Sequence, residues 1–157
     1  MKSNDFYTFG EYMKKDEHFL TASMQDYVEM IYRLSSENGF TRIHDLAQAL
    51  NIQPPSATKM VQRLSELGYL KYEKYGYLML GEKGIEIGSW LIKRHLIVEH
   101  LMRILGVDDA IVLQETEKIE HTLSNETTLC IERFVEFCRN NPDIKNRYDA
   151  YRNQTNE

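Results

Sequence analysis

Apolar residues recur along most of this chain every three to four positions, the spacing that lines up one face of an α-helix. Tyr27, Val28, Ile31, Tyr32 and Leu34 form the first such stripe. Ser23 precedes it as an N-cap residue and Asn38-Gly39 follows as a stop signal, so a helix is predicted between them. From Thr41 to Leu50, a shorter helix carries Ile43, Leu46, Ala47 and Leu50 on one face. The run from Asn51 to Pro55 reads as a turn, and its two prolines suit the start of a helix, where a missing N–H costs little. A helix over 56–67 buries Ala57, Met60, Val61 and Leu64 and turns Ser56, Thr58, Lys59, Gln62 and Arg63 toward solvent; Gly68 stops it. The pattern then changes. Tyr69 to Leu80 is rich in β-forming residues and turns at Tyr75-Gly76, which predicts a two-stranded hairpin with basic residues near its tip. Two short helices, a proline-marked turn and a two-stranded wing make a winged helix-turn-helix.

The remaining pattern is helical. A long helix is predicted from Glu82 to Leu105, apolar on more than one face, which fits a helix that packs both its own domain and a partner. Gly106 ends it. Asp108 caps the next helix, which runs to about Leu123. Ser124 starts another, with Leu129, Ile131, Phe134, Val135 and Phe137, ending near Asn141-Pro142. The tail after Tyr151 is polar and expected to fray. Residues 1–20 show no clear period and are read as an arm with a short helix at 10–18. The fold class is therefore mostly α: an arm over 1–22, a winged helix-turn-helix domain over 23–81 and an all-helical domain over 82–157, which the charge pattern and the resemblance below make the DNA-binding domain and the metal-binding and dimerisation domain.

Charge changes that picture in two places. The chain carries a formal net charge of −5, which argues weakly against nucleic-acid binding. Between Thr41 and Leu80, however, Arg42, Lys59, Arg63, Lys71 and Lys74 outnumber Asp45, Glu66 and Glu73, so this stretch is +2 and the remainder −7. Positive charge thus sits where a DNA reader needs it to neutralise phosphates. Lys59 and Arg63 can contact phosphate or guanine, Gln62 can read an adenine edge, and Ser56 and Thr58 can position the helix on the backbone. The stretch from Gly106 to His121 is the opposite case. Asp108, Asp109, Glu115, Glu117 and Glu120 face only Lys118, a local −4. Such a cluster repels itself unless a cation joins it.

Candidate ligands follow from that cluster. Glu117, Glu120 and His121 have the i, i+3, i+4 spacing that projects from one helical face. Asp26 and Glu29 form an i, i+3 pair at the edge of the first apolar stripe. Alone, a pair like that is usually a solvated face. His95 lies inside the apolar long helix, where a lone histidine is more often a satisfied core residue; Glu99 stands one turn on and can support it or ligate beside it. Enzyme readings fail on specifics, because His-Glu-x-x-His, paired Glu-x-x-His, GxSxG, P-loop and GxGxxG motifs are all missing, and Gly81-Glu-Lys-Gly84 reads as a turn. Cys130 and Cys138 are eight apart and are expected to be reduced thiols. No signal peptide or membrane-length apolar run is visible, so a cytoplasmic protein is expected.

The stretches 24–32, 55–62, 72–75, 93–95, 104–107 and 119–121, in that order and at those separations, resemble the diphtheria toxin repressor family of metal-dependent transcriptional regulators, with its manganese-responsive branch most similar. The resemblance spans roughly 23–137. It implies a homodimer that binds a palindromic double-stranded DNA operator when loaded with Mn²⁺ and represses manganese uptake. It also implies a binuclear site at positions matching Asp26, Glu29, His95, Glu117, Glu120 and His121. The expected DNA contacts, read from the polar face of the second short helix and the basic wing, are Pro55, Ser56, Thr58, Lys59, Gln62, Arg63 and Lys74. In the iron-responsive branch the positions of Asp26 and Glu117 are Met and Cys. Carboxylates at both favour a hard cation such as Mn²⁺, with Fe²⁺, Zn²⁺, Cd²⁺ or Co²⁺ as further candidates. That branch also has a second site, built partly from a histidine where this chain has Gln114, and a C-terminal SH3-like domain for which 157 residues are too few, so that second site is not expected. Two alternatives remain: an iron- or zinc-responsive repressor of the same family, and a helical interaction module that binds no DNA.

Overall fold

The computed structural model describes residues 20–155, leaving the predicted helix at 10–18 outside the described residues. The chain forms two compact units, one up to Leu91 and one from Ile92 onward.

In the first unit, α1 spans Ala22–Ser35 and is capped by Thr21, whose hydroxyl accepts from the Met24 N–H at 3.3 Å. The cap is therefore two residues ahead of the Ser23 expected from sequence. Both residues are short hydroxyls, and only backbone geometry separates them. The chain then makes a two-residue strand, β1 (Thr41–Arg42), before α2 (Ile43–Ala49) and α3 (Pro54–Glu66). Pro54 and Pro55 occupy the first turn of α3, so that helix starts two residues earlier than predicted. β2 (Leu70–Tyr72) and β3 (Tyr77–Leu80) form the wing, joined through a tight turn over Lys74–Gly76.

The wing belongs to a three-stranded sheet rather than a two-stranded one. Its order is β1-β3-β2, with Thr41 opposite Leu78 and Leu70 opposite Leu80. A strand of two residues has no period to detect, which is why Thr41 and Arg42 read as helix. The sheet closes one side of a core in which Val28 and Ile31 of α1 meet Leu46 of α2, Val61 and Leu64 of α3, and Leu78 of β3. Each of these six is wholly buried. Removing a buried leucine or isoleucine from such a core costs about 2–5 kcal/mol. The start of α4 (Glu82–Leu105) joins this unit through two glycines. A Cβ on Gly84 would lie 2.1 Å from the Tyr69 carbonyl, and one on Gly88 would lie 2.8 Å from the Tyr32 ring.

The second unit holds the rest of α4, then α5 (Asp109–Glu120), α6 (Asn125–Asn140) and α7 (Pro142–Thr155). Asp108 caps α5 by accepting from Ala110 N–H at 2.8 Å, and Ser124 caps α6 by accepting from Thr127 N–H at 3.1 Å, both as predicted. α5 stops at Glu120, short of Leu123, and His121 is its C-cap with helical backbone angles. The tail does not fray at Tyr151, because α7 continues through it to Thr155. Its side chains close the C-terminal end of α4: Tyr148 donates to the Leu105 carbonyl at 3.1 Å and Arg152 to that of Gly106 at 2.6 Å. Ile97, Val98, Val112 and Val135 are buried in this unit, while Ile111, Leu113, Phe134 and Phe137 are exposed.

Candidate metal centre and nucleic-acid face

Four of the six expected ligands lie in the second unit. His95 projects from α4, Glu117 and Glu120 project from α5, and His121 ends α5. His95 Nδ1 stands 3.0 Å from Glu120 Oε1 and 3.5 Å from Glu117 Oε1. One ligand atom from each of these three residues falls within 4.8 Å of the others, a spacing that can hold one metal ion. On the other edge of the ring, His95 Nε2 lies 3.7 Å from Glu99 Oε2. Glu99 is in turn held by Arg103, which donates to its Oε1 at 3.0 and 2.8 Å. His121 Nε2 is 4.0 Å from Glu117 Oε2.

Glu120 has the most demanding environment. Its side chain is 0% exposed, and its Oε2 accepts no hydrogen bond from the described residues. A buried carboxylate is costly unless a cation or several donors answer it. Among the described residues, Arg94 pairs with Glu120: its Nε lies 3.6 Å from that oxygen and its Nη2 reaches His121 Nδ1 at 3.2 Å. Arg94 is itself buried. Sequence reasoning assigned it no role, although an arginine beside a candidate ligand in an apolar helix was a visible signal. The carboxylates of Glu99, Glu117 and Glu120, one of them wholly buried, and the imidazoles of His95 and His121 make an oxygen-rich donor set that fits a divalent cation of the harder kind.

Asp26 and Glu29 lie on α1, in the first unit, and the Glu29 carboxylate accepts from Arg33 at 3.0 and 2.6 Å. On α3, Pro55, Ser56, Lys59, Gln62 and Arg63 are exposed, whereas Ala57, Val61 and Leu64 point inward. Thr58 is half-buried and its hydroxyl donates to the Pro54 carbonyl at 3.0 Å, leaving its lone pairs to accept. Arg63 lies 3.6 Å from Glu66 across an exposed turn. The side chain of Lys74 is outside the described residues, but the wing sheet carries two groups not named among the expected DNA contacts. Arg42 donates to the Tyr77 hydroxyl at 2.7 Å and stacks over that ring, while Tyr75 at the turn is 92% exposed.

Comparison with known proteins accounts for this division. Residues 19–78 match the iron dependent repressor N-terminal DNA binding domain, and residues 81–149 match the iron dependent repressor metal binding and dimerisation domain. The chain belongs to the iron dependent repressor family. His95, Glu117, Glu120 and His121 fall in the metal binding and dimerisation domain of that family, and α3 and the wing fall in, or at the end of, its DNA binding domain. A relative from Lysinibacillus sphaericus (strain C3-41), the HTH-type transcriptional regulator MntR, is 42% identical over 136 residues, covering 87% of this chain and 98% of its own. Among solved structures, the manganese regulator SloR aligns with a TM-score of 0.63 and 27% identity, over 73% of this chain and 54% of its own. ScaR with bound Zn²⁺ aligns at 0.61 and 25%, over the same shares. The chain spans about half the length of these two structures.

Proposed function

We propose that the protein is a manganese-responsive transcriptional repressor, active as a homodimer on a palindromic operator and controlling manganese uptake. The observation that carries the reading is the His95–Glu117–Glu120 cluster, an oxygen-rich donor set around a wholly buried carboxylate, in a chain that also presents the polar face of α3. The name of the Lysinibacillus relative and the description of SloR as a manganese regulator support Mn²⁺ over other ions. The Zn²⁺- and Cd²⁺-bound forms of ScaR support a site of this family that accepts those ions too.

In this reading His95, Glu117, Glu120 and His121 hold a binuclear centre together with Asp26 and Glu29. The bound ions supply positive charge that offsets the mutual repulsion of the carboxylates. Asp26 and Glu29 stand on the helix ahead of the DNA-reading elements, so their ligation links metal occupancy to the DNA binding domain. Metal favours operator binding only by the difference in its affinity for the competent and incompetent arrangements. On DNA, Lys59, Arg63 and Lys74 neutralise phosphates or meet guanine, Gln62 reads a base edge, and Pro55, Ser56 and Thr58 position α3. No described helix is long and apolar enough to cross a membrane, and a repressor of chromosomal genes works in the cytoplasm.

The test is operator binding by fluorescence anisotropy with chelator and with Mn²⁺, Fe²⁺, Zn²⁺, Cd²⁺ and Co²⁺ in turn. Mn²⁺ is expected to raise affinity at least tenfold over chelator. Equal affinity in both conditions defeats the switch, and activation by Fe²⁺ or Zn²⁺ but not Mn²⁺ defeats the assignment of the ion.

A further inference from the structure

We propose that Arg94 is a built-in counter-cation of the metal centre: it occupies His121 and pairs with Glu120 in the metal-free protein, and it must release His121 before that histidine can ligate. The inference rests on the reading above that Glu120 and His121 are ligands.

The argument turns on donors and lone pairs. A guanidinium has five N–H donors and no acceptor. The Arg94 Nη2 to His121 Nδ1 contact of 3.2 Å is therefore one in which Arg94 donates and Nδ1 accepts through its lone pair. A neutral imidazole has one such lone pair, because its other ring nitrogen carries the proton. Here the proton belongs on Nε2, the nitrogen 4.0 Å from Glu117 Oε2, where it faces a carboxylate. A metal ion needs an imidazole lone pair, and the one His121 possesses is already engaged. If the ion takes Nδ1, it displaces the guanidinium. If it takes Nε2, the proton moves to Nδ1 and meets the N–H of Arg94 head-on. In both cases the Arg94–His121 bond and ligation by His121 exclude each other.

The same guanidinium explains how Glu120 is tolerated without metal. Its Oε2 is wholly buried and accepts no hydrogen bond from the described residues, and Arg94 Nε stands 3.6 Å away. Arg94 thus answers the buried charge when metal is scarce. It also sets a threshold, since an arriving ion must compete with a cation already in place. A long-range repulsion does not need the contact to His121; a displaced hydrogen bond does. Arg94 is a positioning residue, acting through the ligands it touches.

Three measurements on the full chain test this. In metal-free wild type, ¹⁵N NMR of the His121 ring is expected to show the proton on Nε2 and an unprotonated Nδ1; a proton on Nδ1 overturns the proposal. Calorimetric titration with Mn²⁺ is expected to show about tenfold tighter binding in Arg94→Met, the size of one charge-assisted hydrogen bond. Arg94→Lys keeps the charge but has a single nitrogen that cannot span Glu120 and His121, so it too is expected to bind more tightly. Affinity unchanged or weakened in Arg94→Met overturns the proposal. So does a gain in Arg94→Met that is absent from Arg94→Lys, since net charge alone then explains it. In thermal unfolding, Arg94→Met is expected to lose stability without metal and regain it with Mn²⁺; equal loss in both conditions overturns the proposal. Should the variants fail to fold, the wild-type ring spectrum still decides. Wild type that binds no Mn²⁺ at all instead defeats the underlying reading of the site.

Discussion

Glu117 and Glu120 sit one helical turn apart on α5, yet their surroundings differ sharply. Glu117 is half-exposed and offers one oxygen toward His95 and the other toward His121, while Glu120 is sealed from solvent between His95 and Arg94. The exposed position is the one free to change chemistry without unravelling the packing. Glu117→Cys replaces a hard oxygen with a soft sulfur. It is expected to lower Mn²⁺ affinity by about tenfold or more relative to Zn²⁺ and Cd²⁺. Competitive titration with a metal-sensitive dye reads that ratio, and an unchanged metal ranking removes Glu117 from the ligand set. Residue identity already marked Glu117, Glu120 and His121 as candidates, because their types and i, i+3, i+4 spacing were legible. The burial that separates the two carboxylates was not, since it depends on what α4 places against α5.

At the scale of elements, helix α4 was the most legible and β1 the least. The long apolar run from Glu82 to Leu105, closed by Gly106, fixes both ends of α4 by pattern alone. β1 is a strand because Thr41 and Arg42 find backbone partners in Leu78 and Tyr77, some thirty-five residues away. α7 went unassigned because its composition is polar, and it is anchored by two carbonyls at the end of α4 rather than by an apolar stripe. The glycines at the start of α4 follow the same logic: Gly84 looks like a turn residue, but it is a helical position pressed against Tyr69, the residue before β2. A Cβ there would meet the Tyr69 backbone carbonyl at 2.1 Å, and backbone cannot swing aside as a side-chain tip can. Gly84→Ala is expected to destabilise the first unit by about 1–3 kcal/mol despite alanine's better helix propensity. Urea unfolding followed by circular dichroism measures it, and a stabilised variant contradicts the close approach.

For the molecule as a whole, the exposed apolar residues of the second unit are as informative as its buried ones. Phe134 and Phe137 on α6 are 45% and 49% exposed, and Ile111 and Leu113 on α5 are about half exposed too. A set of large apolar side chains in a domain of known dimerising family is a surface to be covered by a second copy. Phe134→Glu is expected to shift sedimentation from dimer to monomer. It should also weaken operator binding in Mn²⁺ at least tenfold, because one half-site cannot replace two. An undisturbed dimer would place the interface on another face of the unit.

Local chemistry written into the chain determined the order of elements, the winged helix-turn-helix, the caps at Asp108 and Ser124, and the types of the ligand candidates. Periodicity, capping and turn preferences act within a few residues and so survive in one dimension. Tertiary structure alone decided that a two-residue strand completes the wing sheet, that Glu120 is sealed while Glu117 is open, and that Arg94 lies between Glu120 and His121. These depend on groups far apart in sequence meeting in a medium with little water, where one buried charge requires another and a single lone pair can serve only one partner.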